Sequence, residues 1–457
     1  MSYAQRRKQL HQMLGAEDGV ICLLSSQYQS RNYPDNAYMP FRQNSHFLYY
    51  TGIPETGFAL LSFPDGRDIL FGPPFDLDTV VWTGEQRSLD AWGAHAEVSV
   101  CEPFSSFPTQ LKALESPLYL PPSHANMLLS LAEYLEQTPA DVKAGVSSAL
   151  VEAVVAQRLI KDDGEVAAIE DALSRTREIF HNVMQLPLTS MSEAQVYGSI
   201  MQQVYSQQWD TSFQPIVTTH GEILHSHHYG LETLDEQRLL LMDFGMEPAL
   251  GYASDITRTF PVNGTFSTQQ REIYEVVLRS QLDAIEAMKP GVTFKDVHLL
   301  ASETIVRGLQ DLGLMKGDPK EAVAAGAHAL FFPHGLGHML GVDVHDMEDL
   351  GDVVGYGAPG VRSTQFGLGF LRLARELEPG HVVTIEPGIY FIPTLMDMWA
   401  SEKKHEAFIQ YDALGDYRDF GGIRIEDDVL VTQAGHRVLG TPIVKHCDEL
   451  EQHMANG

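Results

Sequence analysis

The chain has 457 residues, 44% hydrophobic and 20% charged, with a formal net charge of −30. That acidity repels phosphate backbones and anionic bilayer surfaces, so neither nucleic acid nor membrane is expected as a partner. The three cysteines, Cys22, Cys101 and Cys447, lie far apart without a CxxC spacing, which argues against a disulfide scaffold and for a reducing, cytoplasmic setting.

In chain order, the opening MSYAQRRKQLHQML has the spacing of an amphipathic helix and no apolar stretch of the kind a secretory leader needs. No apolar run approaches the roughly 18–20 residues that span a bilayer. Over residues 1–150, the short runs GVICLLS, FALLSF, RDILFG and SPLYLPP alternate with turn signals. PDG at 64–66 predicts a hairpin between two of them. LLSLAEYLEQ near 128–137 has helical spacing, and strands alternating with helices make this a small α/β unit. From about 151 the pattern becomes helical, broken at KDDGE, where Asp162 or Asp163 can cap a second helix. Further helices are predicted over 193–208, 268–288 and 295–312, and apolar strands over 238–244, 381–386 and 423–431. Strands arranged as hairpins among these helices indicate an α+β fold rather than a doubly wound sheet.

Acidic residues interrupt those strands. LLLMDF carries Asp243, EPALGY supplies turn chemistry, and SDITRTF returns with Asp255 at its start. A hairpin sets such residues about 5 Å apart on one face, where two carboxylates repel unless a cation lies between them. Glu386 ends the strand in HVVTIEPGIYF. In GGIRIEDDVLV, alternation places Arg424 and Glu426 on one face and Ile423 and Ile425 on the other. Residues 333–346, PHGLGHMLGVDVHD, add His334, His338 and His345, with Gly335 and Gly337 allowing close backbone approach. Four carboxylates with one imidazole form a hard, oxygen-rich donor set suited to Mn²⁺, Co²⁺, Fe²⁺ or Zn²⁺. They are too many for one catalytic zinc and suit a pair of ions about 3.5–4 Å apart.

The order Asp243, Asp255, His338, Glu386, Glu426 resembles the pita-bread metallopeptidases. SDITRTFPVNG, HGLGHMLGVDVHD, TIEPGIY and GGIRIEDD resemble their proline-specific branch, and FRQNSHFLYYTG at 41–52 is similar to that branch's N-terminal domain. The resemblance implies a smaller α/β domain over 1–155 and a pita-bread catalytic domain over 156–457. It also implies two divalent ions, usually Mn²⁺ with Co²⁺ or Zn²⁺ as alternatives, and a homodimer. By the same analogy, Asp243, Asp255, His338, Glu386 and Glu426 are metal ligands. Glu386, His345 and His225 serve catalysis, and His225, His334, His345, Arg372 and Arg424 contact substrate. Two departures stand out. Eleven residues separate Asp243 from Asp255, one more than the family's usual spacing, and Phe244 replaces the usual small residue. Arg372 aligns with the carboxylate-binding arginine of prolidases, and the insert at 393–417 also resembles theirs. The favoured expectation is therefore cleavage of Xaa-Pro dipeptides. The alternative is an aminopeptidase P that trims longer Xaa-Pro peptides, and a non-catalytic binding module of the same fold is the third reading.

Overall fold

Most of the expected strands and capped helices form, with exceptions at SPLYLPP and over 423–431. The computed structural model describes residues 1–30, 32, 41–357 and 360–456. Its contacts divide the chain into two units. One comprises Met1–Arg158, Ala249–Gly251 and Met347–Gly351; the other comprises Leu159–Pro248, Tyr252–Asp346 and Asp352–Gly457.

The first unit is built on a four-stranded sheet of β1 (Ile21–Leu24), β2 (Ala59–Ser62), β3 (Asp68–Gly72) and β4 (Val100–Pro103), in that order. The first two pairings are antiparallel and β3–β4 is parallel. The 64–66 turn joins β2 to β3 with Ser62 opposite Asp68, and Gly66 takes the positive φ the turn requires. SPLYLPP forms no strand. It makes a single parallel bridge, Leu118 to Ile21, because its prolines lack the N–H that a ladder needs. The helix Tyr3–Leu14 is closed by a Ser2–Gln5 capping box. Cys22, Leu61, Phe71, Phe107, Leu111 and Leu131 pack in one apolar cluster. All three cysteines are free thiols.

The second unit carries the remaining strands: β5 (Asp210–Thr211), β6 (Ile216–Thr218), β7 (Leu239–Phe244), β8 (Met246–Glu247), β9 (Ile256–Pro261), β10 (Val382–Ile385), β11 (Gly388–Tyr390), β12 (Gly422–Arg424), β13 (Asp427–Val431) and β14 (His436–Val438). They make two three-stranded sheets, β6-β7-β9 and β10-β13-β14, and two ribbons, β5-β8 and β11-β12. All pairings are antiparallel. Helices Asp163–Met184, Glu193–Ser206, Thr268–Ala287 and Phe294–Asp311 pack with them. Asp162 caps the first through the backbone N–H groups of Gly164 and Glu165. The strand expected over 423–431 is two strands, interrupted at Ile425 and Glu426. The interruption has a physical cause. Glu426 leaves the ladder to donate its N–H to Thr257 O at 3.1 Å, and Arg258 clamps its carbonyl at 2.6 Å.

Candidate active site

The hairpin of β7 and β9 positions the first two acids. Asp243 pairs across the ladder with Thr257. Asp255 lies two residues before Thr257, so it falls on the same face as a diagonal neighbour of Asp243. From the other side, the glycine-rich segment runs along β10. Thr384 N–H donates to His338 O at 3.0 Å, Glu386 N–H to Leu336 O at 2.8 Å, and Leu340 N–H to Val382 O at 3.0 Å. A Cβ on Gly337 would stand 2.0 Å from Thr384 O. Glycine is therefore the residue that lets His338 approach β10 so closely. Glu386 follows directly on β10, and Glu426 occupies the break between β12 and β13.

The folded chain brings these groups together. Ligand atoms of Asp255, His338 and Glu426 all lie within 4.8 Å of one another, and all three residues are buried. His338 Nε2 is 3.4 Å from Asp255 Oδ2 and 3.9 Å from Glu386 Oε1. His338 Nδ1 lies 3.1 Å from its neighbour's carbonyl, Met339 O. As a donor there it leaves Nε2 with its lone pair toward the carboxylates, the tautomer a metal-ligating histidine adopts. Asp243 Oδ1 and Asp255 Oδ1 are buried with no hydrogen-bond partner among the described residues. Buried carboxylate oxygens without donors are costly, and a divalent cation is the group that would satisfy them. The donor set thus fits a metal ion.

The electrostatics agree. Burial, together with the charge of Asp243, raises the pKa of Asp255 well above the carboxylate range, with Arg424 opposing. Burial and the neighbouring Asp255, Glu386 and Asp243 do the same to Glu426. Burial pushes Glu386 up to about 7, against the lowering influence of His338 and Arg424. Without counter-cations these acids hold protons; cations reverse that preference.

Arg424 organises the opposite wall. Its Nη2 is 2.5 Å from Asp243 Oδ2, Nη1 donates to Tyr390 OH at 2.9 Å, and Nε donates to Thr257 Oγ1 at 3.1 Å. Burial opposes its charge, but Tyr390, Asp243, Glu386 and Glu426 hold it well above the usual arginine value. Thr257 Oγ1 in turn donates to Glu426 Oε2 at 2.7 Å. His334 Nε2 is 2.8 Å from Tyr390 OH, and its Nδ1 is 3.8 Å from Glu386 Oε2. The rings of His338 and His345 meet edge to face with centroids 4.3 Å apart. Burial first, then neighbouring positive groups, lowers His345 to about 2 and His334 to about 3, and lowers His225 as well. All three are therefore neutral imidazoles at neutral pH, able to donate one hydrogen bond and accept another.

One cavity of about 730 Å³ is lined by all ten residues singled out in the sequence: His225, Asp243, Asp255, His334, His338, His345, Arg372, Glu386, Arg424 and Glu426. Sequence reasoning missed Thr257, Tyr390, Arg258 and Thr384, whose hydroxyl accepts from His338 N at 3.1 Å. A threonine or tyrosine in an apolar strand gives no signal of this kind, since both are ordinary strand residues.

The model of metallopeptidase family M24 matches residues 167–433. The chain belongs to metallopeptidase family M24. Residues 3–118 also match the aminopeptidase P N-terminal domain, so the expected α+β pita-bread architecture with a smaller N-terminal domain stands. A probable Xaa-Pro aminopeptidase of Fusarium vanettenii is 34% identical over 424 residues, covering 91% of this chain and 88% of its own length. Aminopeptidase PepP of Pseudomonas aeruginosa superposes with a TM-score of 0.80 at 28% identity, covering 99% of this chain and 97% of its own. Zinc-substituted Escherichia coli aminopeptidase P, in complex with product, gives 0.79 at 29% identity, covering 100% and 99%. These relatives are named aminopeptidases. They favour the alternative in the sequence analysis over the dipeptidase expectation, which they do not support. The dipeptidase argument leaned on Arg372 as a single carboxylate clamp. Arg362 and Arg424 line the same cavity, so Arg372 does not by itself define the length of the substrate.

Proposed function

We propose that this chain is a metal-dependent aminopeptidase of the aminopeptidase P type, releasing the N-terminal residue from peptides with proline in second position. The observation that carries this reading is the full-length likeness to proteins of that name, spanning an N-terminal region matched over 3–118 and a catalytic region matched over 167–433. We assign residues 1–155 to the accessory domain and 156–457 to the catalytic domain. The chain is also taken to act as a homodimer. No described helix is long and apolar enough to cross a membrane.

In this reading Asp243, Asp255, His338, Glu386 and Glu426 hold two divalent ions, with Mn²⁺ the first choice and Co²⁺ or Zn²⁺ the alternatives. Bound divalent ions supply Lewis acidity and bring the pKa of water to near 7. Glu386, at the cavity edge of β10, takes up the proton lost by the attacking water and returns it to the proline nitrogen. Neutral His345 and His225 donate hydrogen bonds to the carbonyl oxygen as charge develops on it. His334 is fixed by Tyr390, and Arg424 both orients Asp243 and borders the substrate space.

A peptide-length series after reconstitution with Mn²⁺, Co²⁺ or Zn²⁺ tests the reading. Ala-Pro-Ala is expected to lose its alanine rapidly, and a chelator should abolish the reaction. Turnover of Ala-Pro alone, with Ala-Pro-Ala inert, would return the assignment to dipeptidase. Inertness toward every Xaa-Pro peptide under all three metals would favour a binding module.

A further inference from the structure

We propose that Arg362 forms a carboxylate-recognising subsite on the leaving-peptide side of the cavity, making the enzyme select peptides that carry an anionic group soon after proline. The inference rests on the aminopeptidase reading. It concerns an arginine that the sequence analysis did not single out and that plays no part in the chemistry described above.

Arg362 lines the cavity together with Phe370 and Arg372. A solvated arginine at a rim would be mobile, but this one is tied into a frame. Its Nε donates to Asp352 Oδ1 at 2.8 Å and its Nη1 to Leu371 O at 3.3 Å. Its guanidinium carbon lies 5.5 Å from the ring centroid of Tyr356, whose hydroxyl donates to the same Leu371 carbonyl at 2.7 Å. The short helix bearing Tyr356 is itself docked. Ala374 and Arg375 donate their N–H groups to Gly355 O at 2.9 and 3.0 Å. A Cβ on Gly355 would stand 1.8 Å from Arg372 O, so this approach requires glycine.

Two guanidinium nitrogens are thus spent on positioning. The third, Nη2, has no partner among the described residues. The four carboxylates that line the cavity are Asp243, Asp255, Glu386 and Glu426, all assigned to the metal centre. Asp352, outside the cavity lining, pairs with Arg362 through Nε only, and among the described residues no further acid lines the cavity on the arginine side. Arg372 lies closer to the chemistry, near enough for its charge to act on His345 and His225. A ligand running from the metal centre past Arg372 toward Arg362 would present the residues that follow the scissile bond. A planar guanidinium with free donors there selects a carboxylate. In a chain of net charge −30, a local cationic site also offsets the general repulsion of an anionic peptide.

The shared chemistry is a carboxylate, and it has two sources: the C-terminus of a tripeptide or an acidic side chain after proline. The metal-loaded enzyme should be assayed on Ala-Pro-Ala, its C-terminal amide, Ala-Pro-Glu-amide and Ala-Pro-Gln-amide. Amidation is expected to lower kcat/KM roughly tenfold through KM, the low end for a charge-assisted hydrogen bond at a partly exposed site. Faster cleavage of Ala-Pro-Glu-amide than of Ala-Pro-Gln-amide would add side chains as a source; equal rates would restrict the subsite to the C-terminus. In Arg362→Gln the acid-to-amide ratio should collapse toward one, and Arg362→Lys should restore only part of it. If wild type and Arg362→Gln give the same acid-to-amide ratio, the subsite does not exist. If the preference disappears only in Arg372→Gln, the recognition belongs to Arg372 and the proposal is overturned. Failure of the aminopeptidase reading would look different, as none of the four peptides would be cut.

Discussion

Oδ1 of Asp255 and Oδ1 of Asp243 are buried without donors, and that isolation gives their substitution a distinctive signature. Replacing Asp255 with Asn keeps its shape and puts a permanently neutral group where burial and Asp243 already favour a protonated carboxyl in the metal-free protein. The metal-free protein should be no less stable, yet metal affinity should fall by more than the roughly 10–100-fold that outer hydrogen-bonding partners cost. Thermal denaturation with and without Mn²⁺, alongside turnover of Ala-Pro-Ala, checks both halves. Undiminished turnover in Asp255→Asn would remove Asp255 from the metal set. Thr257 has the opposite profile. Its hydroxyl supports Glu426 and accepts from the buried Arg424 Nε. Thr257→Val leaves that N–H unpaired, which costs about 1–3 kcal/mol, and it loosens Glu426. Here metal-free stability should drop, with a metal-affinity loss within about 10–100-fold. Calorimetric metal titration combined with urea denaturation separates the two variants, because only one of them loses stability without metal.

Among the elements, close backbone approach decides which substitutions the site tolerates. A Cβ on Gly337 would collide with Thr384 O, whereas one on Gly198, on the exposed face of helix Glu193–Ser206, meets nothing within 4 Å. Gly198→Ala should therefore stabilise by up to about 1 kcal/mol through helix propensity. Gly337→Ala should destabilise by about 1–3 kcal/mol or more through overpacking, and it should displace His338 and so weaken metal binding. Urea midpoints of the two variants moving in the same direction would contradict this account. The same contrast shows what the sequence alone could reveal. Acids inside LLLMDF and at the end of HVVTIE violate the apolar pattern of a strand, and that conflict exposed Asp243 and Glu386. Asp162 was legible because capping is a local rule. The split of 423–431 was not, since it arises from distant partners, Thr257 and Arg258, that pull Glu426 out of the ladder. Arg362 was equally hidden, as a rim arginine looks like any solvated charge until its frame is seen.

At the scale of the whole molecule, buried ionisable groups pull its pH dependence in two directions, and a difference measurement separates them. Burial lowers His298 to about 3, His328 to about 4 and His381 to about 3. Folded, these histidines bind fewer protons than the unfolded chain does below its histidine pKa of about 6.5. Stability is therefore lost as pH falls from there. The site acids act the other way. Burial raises Glu386 to about 7 and raises Asp255 and Glu426 well above their usual range. Folded and metal-free, they retain protons that the unfolded chain releases above about pH 4. Their contribution to metal-free stability therefore declines as pH rises from about 4 toward 7. Loading the site with divalent ions removes those protons, while His298, His328 and His381 remain unchanged in both states and cancel. The melting-temperature gain on adding Mn²⁺ should accordingly grow from pH 5 to pH 8, even though the metal-free protein itself shows a mixed profile. Calorimetric titration in buffers of different ionisation enthalpy should register proton release on metal binding near pH 6 and less of it near pH 8. A gain that stays constant across this range, with no proton released, would mean that the raised carboxylates are not the groups that bind the ions.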